Sequence, residues 1–180
     1  MRFSLKPHPD TPCPAVTGIS VSLSRPSPEE LSLVYEVRGA LEGIIIPRSA
    51  TPARGHRLWE HTVFEVFIRP EGGEAYWEFN FAPSGEWAAY RLGGYRTDMK
   101  DARQPNPPRI AVEQDGETLR ATVDLDTGLP ADRPWKIGLS AIIEEEDGRK
   151  SYWALAHAPG VPDFHHKDCF ALELAAPPAP

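Results

Sequence analysis

Residues 59–92 read WEHTVFEVFIRPEGGEAYWEFNFAPSGEWAAYRL, and this stretch decides the fold. Three segments rich in aromatic and β-branched residues, HTVFEVFIR, EAYWEFNF and EWAAYRL, are separated by Pro-Glu-Gly-Gly and Ala-Pro-Ser-Gly, so the stretch is predicted to be three consecutive strands. Successive side chains of a strand point to opposite faces. In the second segment Ala75, Trp77, Phe79 and Phe81 therefore share a core face, and Tyr76, Glu78 and Asn80 share the other. In the first segment Phe64, Val66 and Ile68 form one apolar set, while Glu65 sits between Val63 and Phe67 on a side that is apolar as well. Glu65 is thus expected to be partly buried, and a buried carboxylate needs a partner. Arg91 on the third strand is the expected one.

The same alternation extends outward. Val16–Ser24 and Leu31–Arg38 read as a hairpin around Arg25-Pro26-Ser27-Pro28, and Leu41–Ile46 reads as a third strand ending at Pro47. Later, Ile110–Gln114 and Thr118–Leu125 straddle Asp115-Gly116, while Trp135–Glu144 and Lys150–His157 straddle Asp147-Gly148. Asp-Gly between alternating runs is a strong hairpin signal, because both residues tolerate positive φ. Phe170–Leu174 is the last strand. Two stretches lack periodicity, the basic Pro47–Leu58 and the long Gly93–Arg109, and loops of that kind beside the best strands point to a site at one end or edge of the sheet. About ten short strands with no amphipathic helix and no repeat predict an all-β fold, an antiparallel β-sandwich or jelly-roll-like arrangement. One domain over residues 16–175 follows, preceded by an extended lead (1–15) and followed by a proline-rich tail (176–180).

Composition narrows the partners. In 180 residues, 19 Lys+Arg against 26 Asp+Glu give a net charge of −7, which argues against a general binder of nucleic acid or anionic membranes. The start MRFSLKPHPDTPC has no long apolar run, so a cytoplasmic protein is expected, with Cys13 and Cys169 as free thiols.

No phosphate-binding loop, dinucleotide fingerprint, HExxH, CxxC or Gly-x-Ser-x-Gly motif is present, so no catalytic residue is assigned. What remains is a set of binding groups. Exposed tryptophans beside Asn, Glu and Arg suit a sugar, whose apolar face stacks on an indole while its hydroxyls take paired hydrogen bonds. Trp59, Trp87 and Trp153 are the candidates for stacking, and Glu65, Glu78, Asn80 and Arg91 for hydrogen bonding. A second constellation, Pro162-Asp163-Phe164-His165-His166-Lys167-Asp168, is preceded by Trp153 and His157. Adjacent histidines of an extended segment point apart, so a divalent metal would need one of them together with Asp163, His157 or His61. Hydrogen bonding within the loop is the plainer role, and no metal is assigned.

The segments Trp59-Glu60-His61-Thr62, Phe64-Glu65-Val66-Phe67-Ile68, Tyr76-Trp77-Glu78-Phe79-Asn80-Phe81 and Asp163-Phe164-His165-His166 together resemble DOMON-like domains, in particular the MurB-associated subgroup, and the related family 9 carbohydrate-binding modules. The resemblance implies a β-sandwich that binds a small ligand, sugar or haem in the wider family, and it implies no reductase activity. It departs at His61-Thr62, where sugar-binding relatives carry an acidic pair, and at Arg69, where another acid is common. Haem-binding relatives use Met and His as axial ligands, and Met99 is the single non-initiator methionine here.

The expectation is a non-catalytic module for a small ligand, most simply a carbohydrate, with the site formed by Trp59, His61, Glu65, Glu78, Asn80, Trp87, Arg91, Trp153, Asp163, His165 and His166. Two alternatives remain open. A sugar-active hydrolase or lyase would need Glu65 and Glu78, or His61 and His165, as acid and base, with the two carboxyls in one cleft. An interaction module would instead use a sheet edge or a Trp-rich face, as in a homodimer.

Overall fold

The computed structural model describes residues 1–48, 51–130 and 132–176, so most of the proline-rich tail lies outside the described residues. Among the described residues twelve strands form: β1 (Arg2–Pro7), β2 (Val16–Ser27), β3 (Glu30–Gly39), β4 (Val63–Pro70), β5 (Tyr76–Phe81), β6 (Trp87–Leu92), β7 (Lys100–Asp101), β8 (Arg109–Asp115), β9 (Thr118–Asp126), β10 (Trp135–Glu144), β11 (Lys150–Ala154) and β12 (Leu172–Leu174). All their ladders are antiparallel, in the order β7-β6-β5-β4-β10-β11-β1-β2-β3-β9-β8, with β12 beside β10. The all-β antiparallel sandwich expected from the alternation is the fold that forms, as one continuous curled sheet.

Strand β1 is the seam. Arg2–Leu5 pair with β2, and Lys6 and Pro7 pair with β11, so the chain start passes from one layer to the other. The layers meet through their apolar faces. Tyr35 of β3 stacks on Phe64 of β4 with ring centroids 4.9 Å apart, and its hydroxyl donates to the Glu65 carbonyl at 2.7 Å. Val21, Leu33, Val66, Ile68, Phe79 and Phe81 complete the centre of this core, all essentially inaccessible to water.

Both Asp-Gly turns form, with Gly116 at φ 56° and Gly148 at φ 82°. The expected strand Leu41–Ile46 does not. Gly39, at φ 149° and packed so tightly that a Cβ would fall 2.0 Å from the Ala15 carbonyl, turns the chain out of β3. Leu41–Gly43 then make a single 3-10 turn, and Ile44 bridges Glu145, so the apolar run plugs the end of the sandwich and does not extend the sheet. The long Gly93–Arg109 loop contains the two-residue β7. Cys13 and Cys169 are free and buried. Among the described residues no helix is long and apolar enough to cross a membrane.

Candidate functional site

The outward face of the β4–β5–β6–β10 layer carries a second apolar cluster. Val63 and Phe67 of β4, Tyr76 of β5, Ala88, Tyr90 and Leu92 of β6 and Ile142 of β10 project there, as strand parity requires once Phe64, Phe79 and Ala89 face the other layer. Three pieces of chain cover them. Trp59 comes from the 3-10 turn Leu58–Glu60, Arg96 and Met99 from the β6–β7 loop, and Pro162, Phe164 and His165 from the β11–β12 loop. Between cover and sheet lies a cavity of about 310 Å³, near the lower end of the range for small-molecule sites.

Two carboxyl groups line this otherwise apolar space. Glu65 and Glu78 are 2% and 3% exposed. Glu65 stands opposite Asn80 in the β4–β5 ladder, so Glu78 is its diagonal neighbour on the same face, with backbone positions ~7–8 Å apart. Each acid is anchored through one oxygen. Ser140 Oγ donates to Glu65 Oε2 at 2.8 Å, and Asn80 Nδ2 donates to Glu78 Oε1 at 2.8 Å. Burial pushes Glu65 up to about 8, helped by the Glu78 charge and opposed by Ser140. Burial likewise raises Glu78, to about 7, against the Asn80 hydrogen bond and the through-space pull of Arg96. So close a pair titrates as a unit, and the firm conclusion is that both hold protons far above the usual carboxylate range.

His165 stands over them as a neutral ring. Burial, then the nearby Arg96 charge, drives it down to about 4 despite Asp163. The Tyr76 hydroxyl accepts from the Arg96 N–H at 3.3 Å and shares a hydrogen bond of 2.7 Å with His165 Nδ1. His165 Nε2 lies 3.8 Å from Glu78 Oε2. Outside them a clasp ties the two covering loops together. Arg96, in the left-handed conformation at φ 53°, donates through Nη2 to Asp163 Oδ1 at 2.7 Å, and the Tyr95 hydroxyl donates to Asp163 Oδ2. Burial opposes the Asp163 charge, but Tyr95 and Arg96 outweigh it and hold the carboxyl below its ordinary value.

Of the residues expected at the site, the structure brings Trp59, Glu65, Glu78 and His165 to the cavity wall, with Asn80 behind Glu78 and Asp163 in the clasp. The others lie elsewhere. Arg91 is not the partner of Glu65: it pairs with Trp77 across the β5–β6 ladder, on the opposite face, and its guanidinium lies 5.6 Å from that indole. Trp87 shares that face and is buried beneath the Arg54 guanidinium. Trp153 is buried with its indole N–H on Ser151 Oγ at 2.9 Å. His61 is an exposed partner of Glu144, Nδ1 to Oε2 2.7 Å. His166 accepts from the Asp168 N–H at 3.3 Å and faces a separate depression with Tyr95 and Lys167. The tryptophans therefore do not make one Trp-rich face.

The expected metal combinations disperse too, since His157 Nε2 lies 2.8 Å from the Lys6 carbonyl while Asp163 is held by Arg96 and Tyr95. Among the described residues no group of three or more His, Cys, Asp or Glu is placed to hold a metal ion. Met99 and His165 do line one cavity, the pair that haem ligation would use. They do not fit it: His165 Nδ1 is taken by Tyr76, and an iron on Nε2 would stand against the Glu78 carboxyl. A larger furrow, about 690 Å³, runs past Cys13, Glu36 and Trp153. It is open, and its acid Glu36 is already spanned by Arg2 and Arg120, so it lacks the unneutralised polar groups of the smaller cavity.

No protein-family profile matches this sequence, and no curated protein does. The fold is shared with solved structures. One is a candidate carbohydrate-binding protein from Bacteroides uniformis, with a TM-score of 0.70 and 16% identity over 94% of this chain and 83% of that one. Another is a family 9 carbohydrate-binding module from Caldicellulosiruptor kristjanssonii, in complex with glucose, at TM-score 0.48 and 10% identity over 79% and 69% of the two chains. The first likeness defines the class, an all-β fold that a candidate carbohydrate-binding protein also adopts. The second is too slight to carry weight.

Proposed function

We propose that this protein binds a small carbohydrate in the cavity between the β4–β5–β6–β10 face and its covering loops. One observation carries the reading: an aromatic-walled cavity whose polar groups are buried, anchored and still short of hydrogen bonds. Among the described residues, Glu65 Oε1 and Glu78 Oε2 take no hydrogen bond from the protein. Trp59 offers an indole for a sugar face, and Glu65, Glu78 and His165 offer donors and acceptors for hydroxyls. The likeness to DOMON-like domains and the fold shared with the Bacteroides protein support the same reading. Thermal shift and calorimetry with common mono- and disaccharides test it. A sugar at ~100 times its dissociation constant adds roughly 2.7 kcal/mol of stability, and Trp59→Ala abolishes that shift. No response to any sugar would overturn it.

A second reading has a specific observation behind it. Glu65 and Glu78 share one face and one cavity, the arrangement that an acid–base pair acting on a glycosidic bond requires. Release of reducing sugar from oligosaccharides by the wild type, lost in both Glu65→Gln and Glu78→Gln, would establish that activity; no release would rule the enzyme out for those substrates.

A further inference from the structure

Burying a carboxylate is unfavourable unless a cation or several hydrogen bonds compensate it. Glu65 has one hydrogen bond, from Ser140, and among the described residues no ion pair. Glu78 has Asn80 and a weak approach from His165. The cation nearest to them, Arg96, spends its guanidinium on Asp163. The titratable groups facing the pair from the surrounding elements are thus a neutral His165, the hydroxyls of Tyr76 and Tyr90, and an Arg96 already neutralised. Each acid keeps one oxygen anchored and the other without a protein donor, inside walls that include Trp59, Phe67, Tyr152 and Phe164.

That arrangement lacks a compact cation. An aliphatic ammonium carries three N–H donors on a point charge, more than the two unpaired carboxyl oxygens need, and aromatic faces attract it further. A guanidinium suits the site less well, because its planar fork wants two oxygens of one carboxylate and each acid here presents only one. A metal would need further ligands that the cavity does not supply. We infer that the cavity recognises a primary ammonium group held between Glu65 and Glu78. Resting on the carbohydrate reading above, this makes the ligand an amino sugar.

Calorimetry at pH 7 with four probes tests it: glucosamine, glucose, N-acetylglucosamine and cyclohexylamine. Glucosamine is expected to bind at least about tenfold more tightly than glucose or its N-acetyl derivative, since charge-assisted hydrogen bonds are about twice as strong as neutral ones. Glu65→Gln and Glu78→Gln should each bring the affinity for glucosamine to within about twofold of that variant's own affinity for glucose. Gln keeps the acceptor for Ser140 or Asn80, and should one variant fail to fold the other still decides. Equal binding of glucose and glucosamine would overturn the ammonium inference and leave the carbohydrate reading intact. Cyclohexylamine binding as tightly as glucosamine would do the reverse. No binding by any of the four would overturn the ammonium inference.

Discussion

Strand β4 has two buried faces that differ in one residue type. Phe64, Val66 and Ile68 enter a core closed by the opposite layer, among apolar and aromatic side chains. Val63, Glu65 and Phe67 are just as inaccessible, yet Glu65 and Phe67 border a cavity, and the middle residue is an acid. Equal burial therefore conceals unequal packing. The inner face holds the molecule together, and the outer face gives up part of that stabilisation to keep two carboxyl groups beside a cavity. Stability and binding should separate when the two faces are perturbed in turn.

The largest separation is expected at the two phenylalanines. Phe64→Ala removes a ring stacked on Tyr35 and leaves a void that nothing can fill, a loss of ~3–5 kcal/mol. Phe67→Ala enlarges a cavity that already exists, and should fall below ~3 kcal/mol while weakening ligand binding, which Phe64→Ala leaves alone when measured on the folded fraction. Urea unfolding of both variants measures the difference. Equal losses would mean that the outer face is as tightly packed as the inner.

Next comes pH. Because Glu65 and Glu78 are raised from 4.5 to about 8 and 7, the folded protein holds protons that the unfolded chain has already released. Their contribution to stability is complete below about pH 4.5 and is lost as pH rises toward 8. Melting temperature should therefore fall between pH 5 and pH 8. Glu65→Gln cannot ionise, so it should exceed the wild type by about 1–3 kcal/mol at pH 8 and by nearly nothing at pH 5. A variant equally stable at both pH values relative to wild type would place the raised acid elsewhere.

Much of this contrast is legible in the sequence, and the part that is not has a physical reason. Alternation alone separates Phe64, Val66 and Ile68 from Val63, Glu65 and Phe67, and flags Glu65 as a buried acid between apolar neighbours. It also puts Glu78 with Asn80. It cannot say which residues of β6 join them, because that depends on ladder register: Trp77 opposite Arg91 sends the arginine to the wrong face for Glu65. The true neighbour, Ser140, lies 75 residues away on β10 and has no distinctive local pattern. Arg96, Met99, Pro162 and Phe164 come from loops without periodicity, and only the closure of the sheet brings those loops together. Trp87 and Trp153 illustrate the converse, since their bulk favours a core as readily as a binding surface, and both are core here.

A smaller effect tests how the two faces are joined. The Tyr35 hydroxyl reaches across the sandwich to the Glu65 carbonyl at 2.7 Å, fully buried. Tyr35→Phe keeps the ring stacked on Phe64 and removes one neutral hydrogen bond, a loss of about 0.5–1.5 kcal/mol by chemical denaturation. The side-chain pocket of Glu65 lies on the other face of the strand, so ligand affinity should not change. A drop in affinity would mean that the inner core sets the position of the acid through the β4 backbone.

The smallest effect on stability should come from the clasp. Asp163 joins the β11–β12 loop to the β6–β7 loop through Arg96 and Tyr95, at a partly exposed position where ion pairs contribute little. Asp163→Asn should therefore lower stability by less than ~1 kcal/mol. Its consequence for the outer face is larger than that figure implies. Arg96, released from Asp163, becomes free to swing toward Glu78 and neutralise it from within. The variant should then lose discrimination in favour of a cationic ligand while retaining its fold, and hydrogen exchange should rise in residues 93–98 and 159–166 with the β4 and β5 amides unchanged. Faster exchange throughout β4 would show instead that the covering loops support the sheet, and the division of labour between the two faces would fail.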